Sequence, residues 1–209
     1  MSARRATRAG ADDMRLDDGA QLTIRPVQPD DKPLLADAFA QLSDESRYRR
    51  FFTPLRELGA AQLAYLTELD HHDHEALLAL DAPDGACVGV ARFVRVAPEV
   101  AEPAVVVADQ WQHRGLGTAL LERLSDRARA EGITRFSAIV LAQNRDAIRL
   151  LERFGDATRE DDGAVLHFDI ALPDTGGAGP TLRGLLRAAA AGLLAPTGAF
   201  VRDSSPEHE

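Results

Sequence analysis

Cysteine, lysine and tyrosine are scarce in this chain, and each scarcity excludes something. A single cysteine, Cys87, in 209 residues rules out a disulfide framework and a thiolate zinc site. A single lysine, Lys32, and a net charge of −9 argue against nucleic acid as the main partner, because phosphate binding needs clustered Lys and Arg. No apolar run reaches the roughly 18–20 residues that span a bilayer, so a membrane is not an expected partner. Met1–Gly10 is basic but lacks the apolar stretch of a secretory signal, and the cytoplasm is therefore the expected compartment. The two tyrosines, Tyr48 and Tyr65, limit where a phenol can enter the chemistry.

What is present reads as one ordinary α/β domain with tails. Residues 1–20 are polar, charged and without periodicity, the pattern of a loosely held arm. Leu22–Val27 alternates as a first strand. Asp30 or Asp31 can cap the helix that follows, with Pro33 in its first turn. Ser43–Phe52 is dense in arginine and aromatics, and Ala60–Leu69 is a second helical stretch. Ala76–Leu80 and Cys87–Val96 flank an Asp84–Gly85 turn and read as a hairpin. Ala104–Val107 is a short apolar run of the kind buried on both faces.

Leu116, Leu120, Leu124 and Ala128 mark the clearest helix, stopped by Gly132. Phe136–Leu141 is a strand, Asn144–Phe154 a helix ended by Gly155, and Val165–Leu172 a last, half-exposed strand. The domain so defined spans 21–173. Residues 174–209 read as a linker at Gly176–Pro180, a short amphipathic helix carrying Leu182, Leu185, Leu186, Ala189 and Leu193, and a polar tail.

The stretch from Val105 to Thr118 carries the chemistry: an apolar strand, a polar loop, then glycines at a helix start. Helix N-termini offer unpaired N–H groups and a positive dipole end, which together bind anions. Gly115 and Gly117 leave room for a diphosphate to approach the amides. Thr118 can add a hydroxyl, and His113 or Arg114 a charge. A P-loop would need a lysine before Thr118, and a dinucleotide fingerprint would need a glycine where Leu120 stands. Glycines that merely close a turn are the plain alternative.

The pattern Gln112-x-x-Gly115-x-Gly117 resembles motif A of the GNAT N-acetyltransferases. Asn144-x-x-Ala147-x-x-Leu150-Leu151-Glu152-Arg153-Phe154-Gly155 is similar to that family's Asn-x-x-Ala-x-x-Leu-Tyr-x-x-x-Gly helix, in the expected order downstream. The resemblance covers about Leu22 to Leu172. It implies an α/β (α+β) fold with a mixed, mostly antiparallel central sheet, a splayed strand pair and helices on both faces. It implies acetyl-CoA as cosubstrate and no metal. Val105, Val106 and Val107 would pair with the pantetheine arm. Gln112, His113, Arg114, Gly115, Leu116, Gly117 and Thr118 would form the pyrophosphate loop, with Asn144 contacting the cofactor near its pantetheine or phosphate end.

The resemblance also exposes departures. The family's usual tyrosine, which protonates the leaving thiolate, falls at Leu151, and Asp156 replaces an aromatic. A lysine amine has a pKa near 10.4, so on the order of one molecule in a few thousand is neutral at pH 7, and a general base is expected. Glu102 is the candidate; an exposed strand-start glutamate is the plain alternative, and Asp109 is the runner-up. His71, His72 and His74 suit a helix C-terminus better than a metal. Tyr48–Phe52 either lines the acceptor cleft or, more plainly, buries Phe51 and Phe52 and exposes its arginines.

Ser43–Phe52 and Ala101–Gly117 together look like the catalytic domain of bacterial protein-lysine acetyltransferases, some of which carry a regulatory domain that this length leaves no room for. The implied reaction moves an acetyl group from acetyl-CoA to an amine by direct attack, with protein lysine the favoured acceptor. A small-molecule amine acceptor and an acyl-CoA-sensing module are the alternatives, and a homodimer is one assembly such a chain could form.

Overall fold

The computed structural model describes residues 11–53 and 55–172. Met1–Gly10 and the linker, helix and tail expected over 174–209 lie outside the described residues. Eight strands form one sheet: β1 (Asp12–Arg15), β2 (Gln21–Pro26), β3 (His74–Asp81), β4 (Cys87–Ala97), β5 (Val100–Val107), β6 (Arg135–Leu141), β7 (Asp156–Asp162) and β8 (Val165–Ala171). Their spatial order is β1-β2-β3-β4-β5-β6-β8-β7, and every neighbouring pair is antiparallel except β5 and β6. Among the described residues five α-helices complete the fold: α1 (Lys32–Ala40), α2 (Asp44–Phe51), α3 (Ala60–Thr67), α4 (Leu116–Ala130) and α5 (Arg145–Phe154).

The central strands are apolar on both sides because both faces are covered. Along β3, Leu77 and Ala79 face one core while Ala76, Leu78 and Leu80 face another. The first core takes Leu116, Leu120, Leu121, Leu124 and Ala128 of α4 with Leu150, Leu151 and Phe154 of α5. Burying a leucine is worth about 1.5–3 kcal/mol. Four of them outweigh the cost of Gly117 inside α4, about 1 kcal/mol. The second core joins Val27, Leu35, Ala76 and Leu78 to α3 through Leu63 and Leu66. At the head of α1, Asp31 forks to buried Arg25 at 2.6 and 2.7 Å, pinning the helix start to β2.

Two strands depart from the sequence reading. Asp12–Arg15 pairs with β2 and Leu16 is buried, so within the arm expected over 1–20 the stretch 12–16 belongs to the sheet and its core. Asp12 also meets Arg123 of α4 at 2.7 Å. Asp156–Asp162, acidic and almost wholly exposed, forms β7 along the far edge. Gly132 ends α4 in the left-handed region (φ +78°), as expected. Gly155 does not: its backbone is extended, and a Cβ there would lie 2.6 Å from the Ala171 carbonyl oxygen. That position is glycine because β8 passes too close for a side chain.

Candidate functional site

The sheet opens into a wedge at its one parallel pair. β5 and β6 are registered only at Val100↔Arg135 and Ala101↔Phe136, after which the strands part. From Glu102 to Val107, β5 keeps β4 on one side, through Val94↔Glu102 to Gly89↔Val107, and has no strand on the other. Pro103, which has no N–H to give a ladder, stands just past the parting point. Val105 and Val107 are buried and Val106 is partly open. Such an edge, enclosed within a sheet, leaves backbone groups facing the wedge that an extended ligand can pair with.

β5 runs into the glycine loop that opens α4. His113 (φ +59°) and Gly115 (φ +87°) both adopt left-handed backbone, which turns successive N–H groups toward one side as an anion-binding concavity. Among the described residues, no carbonyl accepts from the amides of His113, Arg114 or Gly115. A Cβ on Gly115 would meet nothing within 4 Å, so the space over the loop is clear. Leu116, Gly117 and Thr118 are buried at the first turn of α4. A diphosphate fits the donor set these residues present.

The loop is held from behind. Gln112 donates from Nε2 to the Val107 carbonyl at 3.1 Å and reaches Ser46 Oγ at 3.4 Å. Its side chain therefore ties the loop to β5 and α2. Asp109 accepts from Ser43 N, Ser43 Oγ and Ser46 Oγ at 2.7–2.9 Å. Burial alone would raise its carboxyl, but these hydrogen bonds outweigh burial and hold it below the usual range. Asp109 is thus a clamp on the head of α2, and its acceptor positions are occupied. Arg114 lies 4.1 Å over the Trp111 ring and pairs with Asp18 of the β1–β2 turn, so its charge is positioned beside the loop by groups the sequence placed far apart.

Glu102 is buried, 6% exposed, which removes the reading of an exposed strand-start glutamate; the strand begins two residues earlier, at Val100. It sits where β5 leaves β6, and its charge acts on Arg50. Asn144 is the N-cap of α5, accepting from Ala147 N at 3.2 Å, and it follows β6 on the opposite lip of the wedge. Leu151, at the position of the family's tyrosine, is fully buried in the core. Tyr48 and Tyr65 are about half exposed, and Tyr65 stacks on His74 at 4.9 Å between ring centres.

The three histidines go to separate partners. His71 meets buried Glu75 at 2.8 Å, His72 meets Glu131, and His74 Nε2 lies 3.1 Å from Arg92. Glu75 also takes Arg127 of α4 at 2.9 Å, so this turn fastens β3 to the helix. Asp70 shapes the turn by accepting the amides of His72, Asp73 and His74, each at 2.9 Å.

Under α1, α2 and α3 lies an open cleft floored by Ala104 and Val106 of β5 and walled by Leu35, Phe39 and Phe51. Here the plainer reading of Tyr48–Phe52 is corrected: Arg50 is buried at 7% exposed and lines the cleft, as does Arg92 at 3%. Arg50 falls in the segment Tyr48–Phe52 that the sequence offered as one lining of the acceptor cleft; Arg92 was missed. The visible signal was Arg92 inside the apolar run Cys87–Val94, at the same parity as Val88 and Val90.

A parted parallel strand pair leading into an amide-lined glycine loop and helix defines a class. The chain belongs to the acetyltransferase (GNAT) family, whose model matches residues 37–156. It is 35% identical over 161 residues to the acetyltransferase Pat of Mycolicibacterium smegmatis, covering 75% of this chain and 48% of that protein. An acetyltransferase of Pseudomonas aeruginosa is 32% identical over 73% of this chain and 85% of its own length. The GNAT domain of S. lividans PAT superposes with a TM-score of 0.73 at 31% identity, covering 80% of this chain and 100% of that one. The chain thus spans about half the length of the Mycolicibacterium relative and the whole of the S. lividans domain.

Proposed function

We propose that this protein transfers an acetyl group from acetyl-CoA to a primary amine, with Glu102 as general base. The observation that carries the reading is the position of Glu102: buried, at the parting of β5 and β6, on the strand that leads directly into the amide-lined loop. Val107 lies five residue steps further along the strand, about 17 Å at roughly 3.3 Å per residue. A long, thin cosubstrate anchored by its pyrophosphate at 113–118 has that length of strand edge to run along.

Residues 113–118 would hold the pyrophosphate, Val105–Val107 would pair with the pantetheine arm, and Asn144 would close the other lip. Gln112 positions the loop and does not itself need to touch the cosubstrate. The acceptor arrives as an ammonium ion and must lose a proton before it can attack. Glu102, directly or through one water, takes that proton. The amine nitrogen then bonds to the thioester carbonyl carbon, the carbon–sulfur bond breaks, and the nitrogen sheds its second proton to solvent or to the departing thiolate, leaving a neutral amide and the free thiol. A thiol pKa near 8.5 makes it a tolerable leaving group without an assigned acid, so Leu151 in the tyrosine position does not block the step.

The name Pat on two of the relatives supports a protein lysine as acceptor. Leu151 favours the rival reading, a module that binds acyl-CoA without turning it over. Thiol release from acetyl-CoA, followed across lysine peptides and small amines, separates the two. Release with at least one amine is expected. Binding of acetyl-CoA in a calorimeter with no release on any amine would replace the transferase with the sensor.

A further inference from the structure

Among the described residues three arginines are almost wholly buried, and they are satisfied to different degrees. Arg25 is fully matched, forked onto the Asp31 carboxylate. Arg92 donates to the Leu66 carbonyl at 3.0 Å, near the end of α3, and lies against His74. Arg50 rests on the Phe51 ring at 4.8 Å, and among the described residues its guanidinium has no hydrogen-bond acceptor. A guanidinium carries five donors; this one lines the cleft, and the charge of Glu102, the proposed base, acts on it.

The charge balance of that corner is positive. Arg50 and Arg92 are close enough for the charge of one to act on the other, and the carboxylate whose charge acts on Arg50 is that of Glu102, which sets two guanidiniums against one carboxylate. Burial pushes Arg50 down to about 10 and Arg92, pressed further by Arg50, to about 9, so both still carry their charge at neutral pH. A buried cation without a matching anion is costly, and a planar fork is suited to a carboxylate.

Registers place this charge next to the chemistry. Arg92 faces Ala104 across the β4–β5 ladder while Val94 faces Glu102, so Arg92 and Glu102 are diagonal neighbours on one face. Diagonal positions of that kind are about 7–8 Å apart.

We propose that the cleft recognises an acceptor whose amine is accompanied, a few bonds or one residue away, by a carboxylate that seats on Arg50 with help from Arg92. This rests on the acetyltransferase reading and narrows its substrate class. The surface as a whole is acidic, at net −9, so a carboxylate is selected by this local pair and not by the overall field.

Matched acceptors test it: an amino carboxylate against its own carboxamide, and a lysine peptide with a neighbouring Glu against the same peptide with Gln. The readout is kcat/KM for thiol release. The wild type should favour the carboxylate member about tenfold or more in at least one pair, mostly through KM. In Arg50→Met that ratio should fall to near one, and in Arg50→Lys it should fall only in part, each variant first checked for acetyl-CoA binding as proof of folding. Preference in the peptide pair alone assigns the carboxylate to a residue beside the acceptor lysine; preference in the small pair alone assigns it to a free amino acid. Equal rates within both pairs, or a preference that survives Arg50→Met, overturns the anion site and leaves the transferase standing. No release with any acceptor overturns both.

Discussion

Gly115 and Gly155 are glycines for opposite reasons, and substitutions tell them apart. Gly115 holds φ +87° over open space, so the cost of a side chain there falls on the ligand and on local backbone strain of about 1–2 kcal/mol. Gly115→Glu puts a negative charge where the pyrophosphate should lie, and acetyl-CoA affinity measured by calorimetry should fall at least tenfold, about 1.4 kcal/mol. Unchanged affinity would remove the loop assignment. Gly155 has ordinary extended backbone but no room, with 2.6 Å from a Cβ to the Ala171 oxygen. Gly155→Ala should therefore cost stability, about 1–3 kcal/mol, with acetyl-CoA affinity per folded molecule unaltered. A thermal shift of the variant below about 2 °C would show that β8 can move aside.

At the scale of elements, legibility followed burial. Most strands and helices that carry an apolar stripe, from Leu22 to Ile170, stood out within a residue or two of their ends because periodicity records which side faces a core; β5 is the exception, read from Ala104 but starting at Val100, because Glu102 and Pro103 break its apolar run. The two strands that escaped, Asp12–Arg15 and Asp156–Asp162, are the two edges of the sheet. Their strand state comes from backbone ladders to one neighbour, and their charged side chains are what an edge needs to resist further pairing. No sequence pattern marks that. The site divides the same way. Gln112–Gly117 and Asn144 were readable because amide geometry demands glycines and a cap at fixed spacing. The Asp109–Ser46 clamp and the burial of Arg50 were not, since both depend on helix α2 folding across β5 from far along the chain, and Arg92 was not, since its burial depends on α3 lying over β4. The Asp18–Arg114 contact spans even more of the chain.

The His71–His74 turn gives a prediction for stability. His74 is pushed down to about 4, first by burial and then by the charge of Arg92. The unfolded chain therefore binds a proton between about pH 6.5 and 4 that the folded chain refuses, and stability falls as pH drops through that window. Discounted for partial exposure of the ring, the loss is ~1 kcal/mol, or about 2–4 °C in Tm between pH 7 and pH 5. His74→Gln should flatten that dependence. An equally steep curve in the variant would place the titration on other groups.

For the molecule as a whole, the open wedge between β5 and β6 is the feature that a bound acyl-CoA would bridge. A ligand at a hundred times its Kd adds about 2.7 kcal/mol to folding stability. Acetyl-CoA at that excess should raise Tm by about 5–10 °C. No described helix is long and apolar enough to cross a membrane.

The most direct test of the chemistry is kcat for wild type and Glu102→Gln at saturating acetyl-CoA, with acetyl-CoA affinity measured on the same samples. A general base at Glu102 predicts kcat lower by roughly 10²–10⁴ with affinity retained. Wild-type turnover in Glu102→Gln would contradict it.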